Sequence, residues 1–537
     1  MILTTSYLFS HLSTDSSTLF ITPYTPPRKR DPTEQIPIEI SKIAYFVQHP
    51  RSTSSLPAAS DSSSPTEVET TCYYLGRNDD SSYNTFKFVL DSDSPKLPSS
   101  LDHLVIDCSQ TSTRACRRVE IVTNPKSGHG YSSALLNDVV KPLLRPFEEF
   151  GHFEVRVSET TGKNDGERIG TDIIAQSGEK DTTVIVLGGD GTVHEVMNGA
   201  VLSEQGQPRR GGPNLDLVLI PTGTANAMYY HLFPPESPPY PQATALSPFY
   251  SLIAFLRRFA TGSSPLSLPL ALNKIERASN SSSDAPIPPP TLTSVVSSAA
   301  LHACLLHDAE ELRETNPGLE RFKIAAQENV KRWWEGTLTF KGQSIKSYSS
   351  ESKSFRTVSR QGEGGEVVLE GPFAYWVGSL VSRFEPSFVV APLRSPQHSL
   401  APATALSDSA TIDLVVIRPL RYRPTREAWE KGERGEDLKL EFAAKVWEVT
   451  GGMYQGGKHV DMVYEEGEGL DDQAGGTEKT QIVEIWRVNE FIWTPVASSD
   501  LKSNLVCFDG ALHDLGEGGS LKTRVLGSEE TGVRVWS

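Results

Sequence analysis

Residues 188–199 read GGDGTVHEVMNG, placing two glycines, an aspartate and a third glycine directly after the apolar run TVIVL. Val193, Val196, Met197 and Ala200 then recur at i, i+3, i+4 and i+7, the spacing of a buried helix face. Glycines at a strand-to-helix turn let the backbone approach a phosphate or hydroxyl, and the helix amino end adds positive potential. Asp190, at the tip of that turn, is placed to take a proton from an attacking hydroxyl, the job a loop aspartate performs in phosphoryl transfer. A plainer reading competes, because an aspartate in Gly-Gly-Asp-Gly also caps a helix in a tight turn.

Two further loops share this composition. NPKSGHG (124–130) ends the run VEIVT, and its Gly128 and Gly130 would leave backbone donors for an anion. PTGTANAM (221–228) follows LDLVLI with a proline to leave the strand, then Gly223 and Thr224 to approach a ligand, then a helix. Either alone reads as an ordinary connection; three at the carboxyl ends of three strands form a cradle for polyphosphate. The chain has no G-x-x-x-x-G-K-[ST], no G-x-G-x-x-G with a following ribose acid, and neither H-R-D nor D-F-G. A nucleotide site here is therefore of another kind.

The elements that must position these loops are legible as a pattern. VEIVT (119–123), FEVRV (153–157), TVIVLG (183–188) and LDLVLI (215–220) alternate with helix patterns over 132–150, near 166–177, from Val193 and from Ala225. Strands apolar on both faces, alternating with helices, predict a doubly wound parallel α/β domain over 117–261, with ligands beyond the strand ends. After a helical stretch at 247–260 come the runs PLSLPLALNKI, LTSVVSSAALHACLL, GTLTFKG, GPFAYWVGSLV and ATIDLVVIRPL, predicting a β-rich domain over 262–537. Polar insertions at 277–290 and 465–479 interrupt it, and the aromatic runs KRWWEGTLTF and FAYWVGSLVSRF read as its core. Residues 1–116 read as a β-rich module, with short runs at 38–47, 71–76, 85–90 and 101–107 and a low-complexity loop at 51–66.

Composition bounds the partners. In 537 residues, 51 Lys plus Arg against 67 Asp plus Glu leave a charge of −16, which argues against a surface that embraces nucleic acid. Five scattered cysteines without a C-x-x-C pair fit free thiols in a reducing compartment, and no metal-ligand set stands out. No apolar run approaches the roughly 20 residues that span a bilayer, so the expectation is a cytoplasmic protein with peripheral association to intracellular membranes. Nothing in the sequence fixes an oligomeric state.

With its two companion loops, GGDGTVHEVMNG resembles the diacylglycerol-kinase catalytic superfamily, and the His-Glu pair after GGDGT is most similar to the sphingosine (sphingoid long-chain base) kinases. The resemblance covers about 117–537 and is strongest to about 233. It implies an ATP- and Mg²⁺-dependent lipid kinase, with an α/β nucleotide domain, a β-sandwich lipid domain and a site in the cleft between them. The reaction implied is phosphorylation of the primary hydroxyl of a sphingoid base.

Carried over residue by residue, Asp190 would be the catalytic base, and Gly188, Gly189 and Gly191 would line the acceptor beside it. Asn124, Pro125, Lys126, Thr160, Glu195, Gly223, Thr224 and Ala225 would line the ATP site. The segment HDAEELRETNPGLERF (307–322) would supply a headgroup aspartate, Asp308, and a phosphate arginine, Arg321; CFDGAL (507–512) would supply Asp509 and Gly510 to the nucleotide. Bland roles compete for some: Asp308 as a surface acid, Arg321 in a helical ion pair with Glu314 or Glu320, His194 as a helix residue orienting its loop.

The chain departs from the family pattern at four positions. Ala225 stands for a glycine and Ala511 for a glutamate; Thr315, with Arg313 nearby, stands for a second arginine, and Asp165 for a histidine. Diacylglycerol or ceramide as acceptor, NAD kinase activity, and a non-catalytic lipid sensor remain as alternatives.

Overall fold

The computed structural model describes residues 116–537 except 179, 210, 240–243, 262–263, 278–286, 317, 319, 343–344, 359–364, 395–409 and 471–479. Before 116 it describes 9–14, 18–23, 36–50, 68–77, 82–90, 97, 101 and 104–107. The low-complexity loop at 51–66 and most of the two polar insertions lie outside the described residues.

Strands Arg117–Thr123 (β1), Phe153–Glu159 (β2), Thr182–Gly188 (β3) and Leu215–Pro221 (β4) pair in parallel in the order β2-β1-β3-β4. β3 is buried along its whole length and β1 and β4 nearly so, which is why Val, Ile and Leu dominate their sequences. The chain winds outward from β1 to β2 and then crosses back to β3, so the direction of winding reverses between β1 and β3. At such a switch point the loops leave the sheet in opposite directions and open a crevice at the carboxyl ends of the strands.

Helices Asp165–Ser177 (α1) and Asp190–Val201 (α2) lie together on one face. The other face carries helices Lys141–Glu149 and Tyr250–Thr261, whose Phe147 and Phe259 meet Phe153 of β2 at ring-centroid distances of 4.8 Å. Helix α2 begins at Asp190, three residues before the apolar stripe. The next helix, Ala227–Leu232 (α3), begins two residues after Ala225, because Asn226 sits in the left-handed region at φ 53°.

The remainder of the chain differs from the sequence reading in two ways. LTSVVSSAALHACLL is not one strand run; it is two short strands, Thr291–Thr293 and Val296–Ala299, followed by helix Ala300–Glu311 (α4). The β-branched residues stop at Val296, and Ala-Leu-His-Ala-Cys-Leu-Leu favours helix. A second helix, Glu320–Asn329 (α5), and a 19-residue helix, Glu436–Tyr454, also lie among the strands.

The chain also returns to its first sheet at the end. Strand Leu505–Phe508 (β5) turns into Ala511–Asp514 (β6), and Val533–Val535 (β7) then joins β4 in parallel. Arg534 holds β7 there, donating to Asp216 at 2.6 Å and Asp181 at 2.8 Å, while Arg117 also pairs with Asp216. A three-residue strand is too short to register as a period in the sequence.

Two antiparallel sheets, of six and eight strands, make up most of the rest. They meet through buried rings from both sheets: Trp376 lies 5.4 Å from Trp493, and Phe340 lies 5.1 Å from Trp486. The amino-terminal strands include a four-stranded sheet that leans on the helices beside the parallel sheet, with Tyr45 donating to the Leu143 carbonyl and Arg257 to the Ala44 carbonyl.

Candidate active site

The sheet's lateral bonding continues past the ends of its strands and draws the loops together. Asn124 N–H donates to the Leu187 carbonyl at 3.0 Å, Thr160 N–H to Thr123 at 2.9 Å, and Thr222 N–H to Gly188 at 3.2 Å. The Asn124 side chain bridges two loops, donating to Thr192 Oγ1 at 3.0 Å while accepting from Lys126 N–H at 3.1 Å.

The glycines act here by close approach more than by leaving donors open. A Cβ on Gly223 would fall 2.4 Å from Gly189 Cα, and one on Gly128 would fall 2.2 Å from the Thr222 carbonyl oxygen. Gly130 N–H donates to Ser127 and Gly223 N–H to Asn226 Oδ1, so those two donors are spent within their own loops.

Asp190 sits half-buried where these loops meet. Its Oδ2 accepts from Ala227 N–H at 2.8 Å and its Oδ1 from Met228 N–H at 3.0 Å, so the amino end of α3 grips the carboxylate. Asn226 prepares that end: both atoms of its amide bond back to Gly223, at 2.8 Å each. Burial pushes the Asp190 carboxyl up to about 6, against the pull of the two amides, and the negative charge of Asp509 adds to the rise. A carboxylate titrating near neutrality is a far better proton acceptor than one in water.

Other assigned residues are present but differently engaged. Glu195 accepts from Asn164 N–H at 3.2 Å and Gly166 N–H at 3.0 Å, capping α1. Asp165 accepts from Thr161 N–H at 2.9 Å and pairs with Arg168, so at this position the loop is closed by an acid. Thr160 is buried, Pro125 and Ala225 are half-buried, and Lys126, Gly191 and Thr224 are exposed.

Asp509, at φ 50° between β5 and β6, accepts from the N–H groups of Ser294, Val295 and Val296 at 2.8–2.9 Å. His194 Nδ1 lies 3.3 Å from Asp509 Oδ2, tying α2 to this turn. Gly510 is exposed beside it. Asp509 thus reaches the Asp190 loop, although its oxygens are occupied by main-chain donors.

Asp308 and Arg321 stand apart on α4 and α5; among the described residues, no hydrogen bond or ion pair joins either to the Asp190 loops. Asp308 accepts from Lys502 Nζ and from Asn329 Nδ2, each at 2.6 Å, and lies 3.0 Å from His307 Nδ1. Burial raises its carboxyl, but these partners outweigh that and hold it below the usual range. Arg321 Nε is buried without a hydrogen-bond partner among the described residues.

Residues 118–247 match the family model described as the diacylglycerol kinase catalytic domain, the span that carries all three glycine loops and Asp190. That match identifies this segment as similar to a diacylglycerol kinase catalytic domain. Sphingosine kinase B of Dictyostelium discoideum is 27% identical over 144 residues, 27% of this chain and 18% of that protein. Sphingoid long-chain bases kinase 1 of Arabidopsis thaliana is 24% identical over 120 residues, 22% of this chain and 14% of that protein. The matched segment therefore spans less than a fifth of either relative. A diacylglycerol kinase crystal structure from Bacillus anthracis is similar at a TM-score of 0.37 and 14% identity, covering 79% of this chain and 98% of that one.

Some of these residues carried little or no signal in the sequence. Asn226 lies within PTGTANAM, yet only its backbone conformation and its bonds to Gly223 reveal that it closes the loop. Lys502 lies 194 residues from Asp308, and no local pattern joins them.

Proposed function

We propose that this chain is an ATP-dependent lipid kinase transferring the γ-phosphoryl group to the primary hydroxyl of a lipid alcohol. The observation that carries the reading is Asp190, gripped by two main-chain amides at the switch-point crevice and titrating at about 6. The acceptor oxygen attacks the γ-phosphorus, the bond to the β-phosphate oxygen breaks, ADP leaves, and the hydroxyl proton passes to Asp190. In a loose transition state the carboxylate serves chiefly to orient the hydroxyl, and proton transfer comes late.

Asn124, Pro125, Lys126, Thr160, Gly223, Thr224 and Ala225 line the nucleotide in this reading, and the Arg321 guanidinium is assigned to a phosphate because its fork of donors suits phosphate oxygens. Glu195, Asp509 and Gly510 belong to the same site as supports of its walls. Mg²⁺ supplies charge neutralisation at the β and γ oxygens when bound. Each Asp190 oxygen accepts a single amide and keeps a lone pair for that ion, whereas the Asp509 carboxylate is already saturated.

The lipid lies against the β-rich part of the chain, and access to it requires peripheral contact with a cytoplasmic membrane surface. No helix among the described residues is long and apolar enough to cross a membrane. The names of the two relatives support a sphingoid base, giving its 1-phosphate. A lipid alcohol without a free amine is the second reading, favoured by the Lys502–Asp308 ion pair.

γ-labelled ATP offered with sphinganine, ceramide and diacylglycerol, and separately with NAD, tests the proposal. Label in at least one lipid and none in NAD is expected. Label only in NAD, or ATP binding without transfer to any acceptor, would contradict it.

A further inference from the structure

The helix Glu436–Tyr454 (α6) is apolar on two sides. Its inner face, with Phe442, Val446, Val449 and Met453, is buried against its own domain. Its outer face carries Leu440, Trp447 and Tyr454, which remain 61%, 41% and 53% exposed. These three recur every seven residues, about 10 Å apart, with Ala444 and Gly451 between them, so that one stripe alternates large side chains with small ones. One apolar face is enough to seat a helix on its own domain, and the fold leaves the second uncovered.

Two adjacent glycines separate what the chain needs from what it does not. A Cβ on Gly452 would fall 2.8 Å from the His459 backbone nitrogen, so that glycine is required by packing within the chain. A Cβ on Gly451 would meet nothing within 4 Å, although the residue lies inside a helix, where glycine is destabilising relative to alanine. Gly451 instead opens a notch in the stripe beside Trp447, of the kind that receives a side chain from a second helix as a knob in a hole.

Charge runs along one edge of the stripe. Asp437, Glu441 and Glu448 are exposed there in a row. Glu448 lies 3.3 Å from Lys445, whereas Asp437 and Glu441 have no hydrogen-bond or ion-pair partner among the described residues. At its amino end the row opens into a cup of about 460 Å³, where Glu433 joins Asp437 and Glu441 around Pro424, Ala428 and Leu438.

These features select among occupants. A bilayer is fluid and gains nothing from a notch, and a carboxylate edge on a chain of net charge −16 is repelled by anionic lipid. A second copy of this chain, laid along the same stripe, would set Glu441 and Glu448 against carboxylates of its own kind. A helix with basic flanks meets both the relief and the charge. We propose that the outer face of α6 is a docking site for a basic amphipathic helix of a partner protein. Large apolar side chains of that helix, seven residues apart, enter the notches at Ala444 and Gly451, and its Lys or Arg residues lie along Asp437, Glu441 and Glu448. The site is independent of the lipid-kinase reading, since no residue of the Asp190 loops takes part.

The probe is a fluorescein-labelled peptide of about three heptads, with Leu at the first and fourth positions and Lys on both flanks. It is titrated into the full chain beside a peptide of the same composition in scrambled order. The parent should bind the patterned peptide about tenfold more tightly than the scrambled one, and the patterned peptide should gain helical circular dichroism on binding. Gly451→Leu fills the notch and should weaken binding by about tenfold, the order expected when one large side chain loses its burial. Its melting temperature should not fall, because nothing in the chain uses the glycine. Asp437→Asn combined with Glu441→Gln should also weaken binding and flatten its dependence on salt.

Equal affinity for the two peptides, binding of neither, or binding unmoved in Gly451→Leu would overturn the proposal. So would attachment to phosphatidylcholine vesicles that Trp447→Gln abolishes, which gives the stripe to a bilayer. A concentration-dependent dimer that Gly451→Leu dissociates would give it to a second copy and overturn the proposal equally.

Discussion

Gly189 and Gly223 meet so closely that a Cβ on the second would sit 2.4 Å from the Cα of the first. The loop that carries Asp190 and the loop that opens α3 are therefore locked by absence of side chains, and α3 in turn grips the Asp190 carboxylate. Gly223→Ala should push the loops apart, lowering stability by about 1–3 kcal/mol and depressing the phosphoryl-transfer rate. Thr224→Ala, one residue on and exposed, should leave the melting temperature close to that of the parent. Calorimetry and rate measurements on the two variants check this.

The raised Asp190 carboxyl gives a pH dependence with a definite sign. Activity requires the unprotonated form, so kcat/KM should fall on the acid side with an apparent pKa near 6. Stability runs the other way. Because the folded value lies above the ordinary 3.8, the folded state holds this proton more tightly than the unfolded chain, and stability from this group is lost as pH rises from 3.8 through about 6. The melting temperature of Asp190→Asn, taken relative to the parent, should accordingly rise across that window.

Asp509 contributes to that value through its charge. Asp509→Asn should move the acid limb of kcat/KM to lower pH, since the neighbouring negative charge is gone. It should also lower the melting temperature, because an amide nitrogen would face a main-chain donor among Ser294, Val295 and Val296. An unmoved acid limb would show that the two carboxylates do not communicate.

Glu195 separates a wall residue from a ligand contact. As the cap of α1 it should cost about 1–2 kcal/mol of stability when replaced by alanine, with Glu195→Gln milder because an amide oxygen still accepts one of the two N–H groups. A rise in KM for ATP at unchanged melting temperature would instead mark a direct nucleotide contact.

The parallel sheet and its three loops were legible because each depends on short-range pattern: β-branched runs, glycine turns and apolar helix spacing within about fifteen residues. What escaped the sequence depends on distant partners. Val533–Val535 joins β4 through Arg534 and Asp216, 318 residues apart, and three residues carry no periodicity. The strand reading of LTSVVSSAALHACLL failed at Ala300, where composition turns helical within an apolar run and hydrophobicity alone does not distinguish the two. At the site, Asp190 was readable from its glycine neighbours. The engagement of Glu195 with α1, and of Asp308 with Lys502, was not, because a carboxylate's partner is set by the fold and not by its neighbours in sequence.

Transfer of labelled phosphate by purified Asp190→Asn, measured beside the parent with the same lipid acceptor, tests the central claim most directly. Asparagine keeps one acceptor for the α3 amides while removing the proton-accepting charge. The rate should drop about a thousandfold, with ATP binding and cooperative unfolding retained. A folded variant that phosphorylates the lipid at the parent rate would contradict the assignment of Asp190 as the catalytic base.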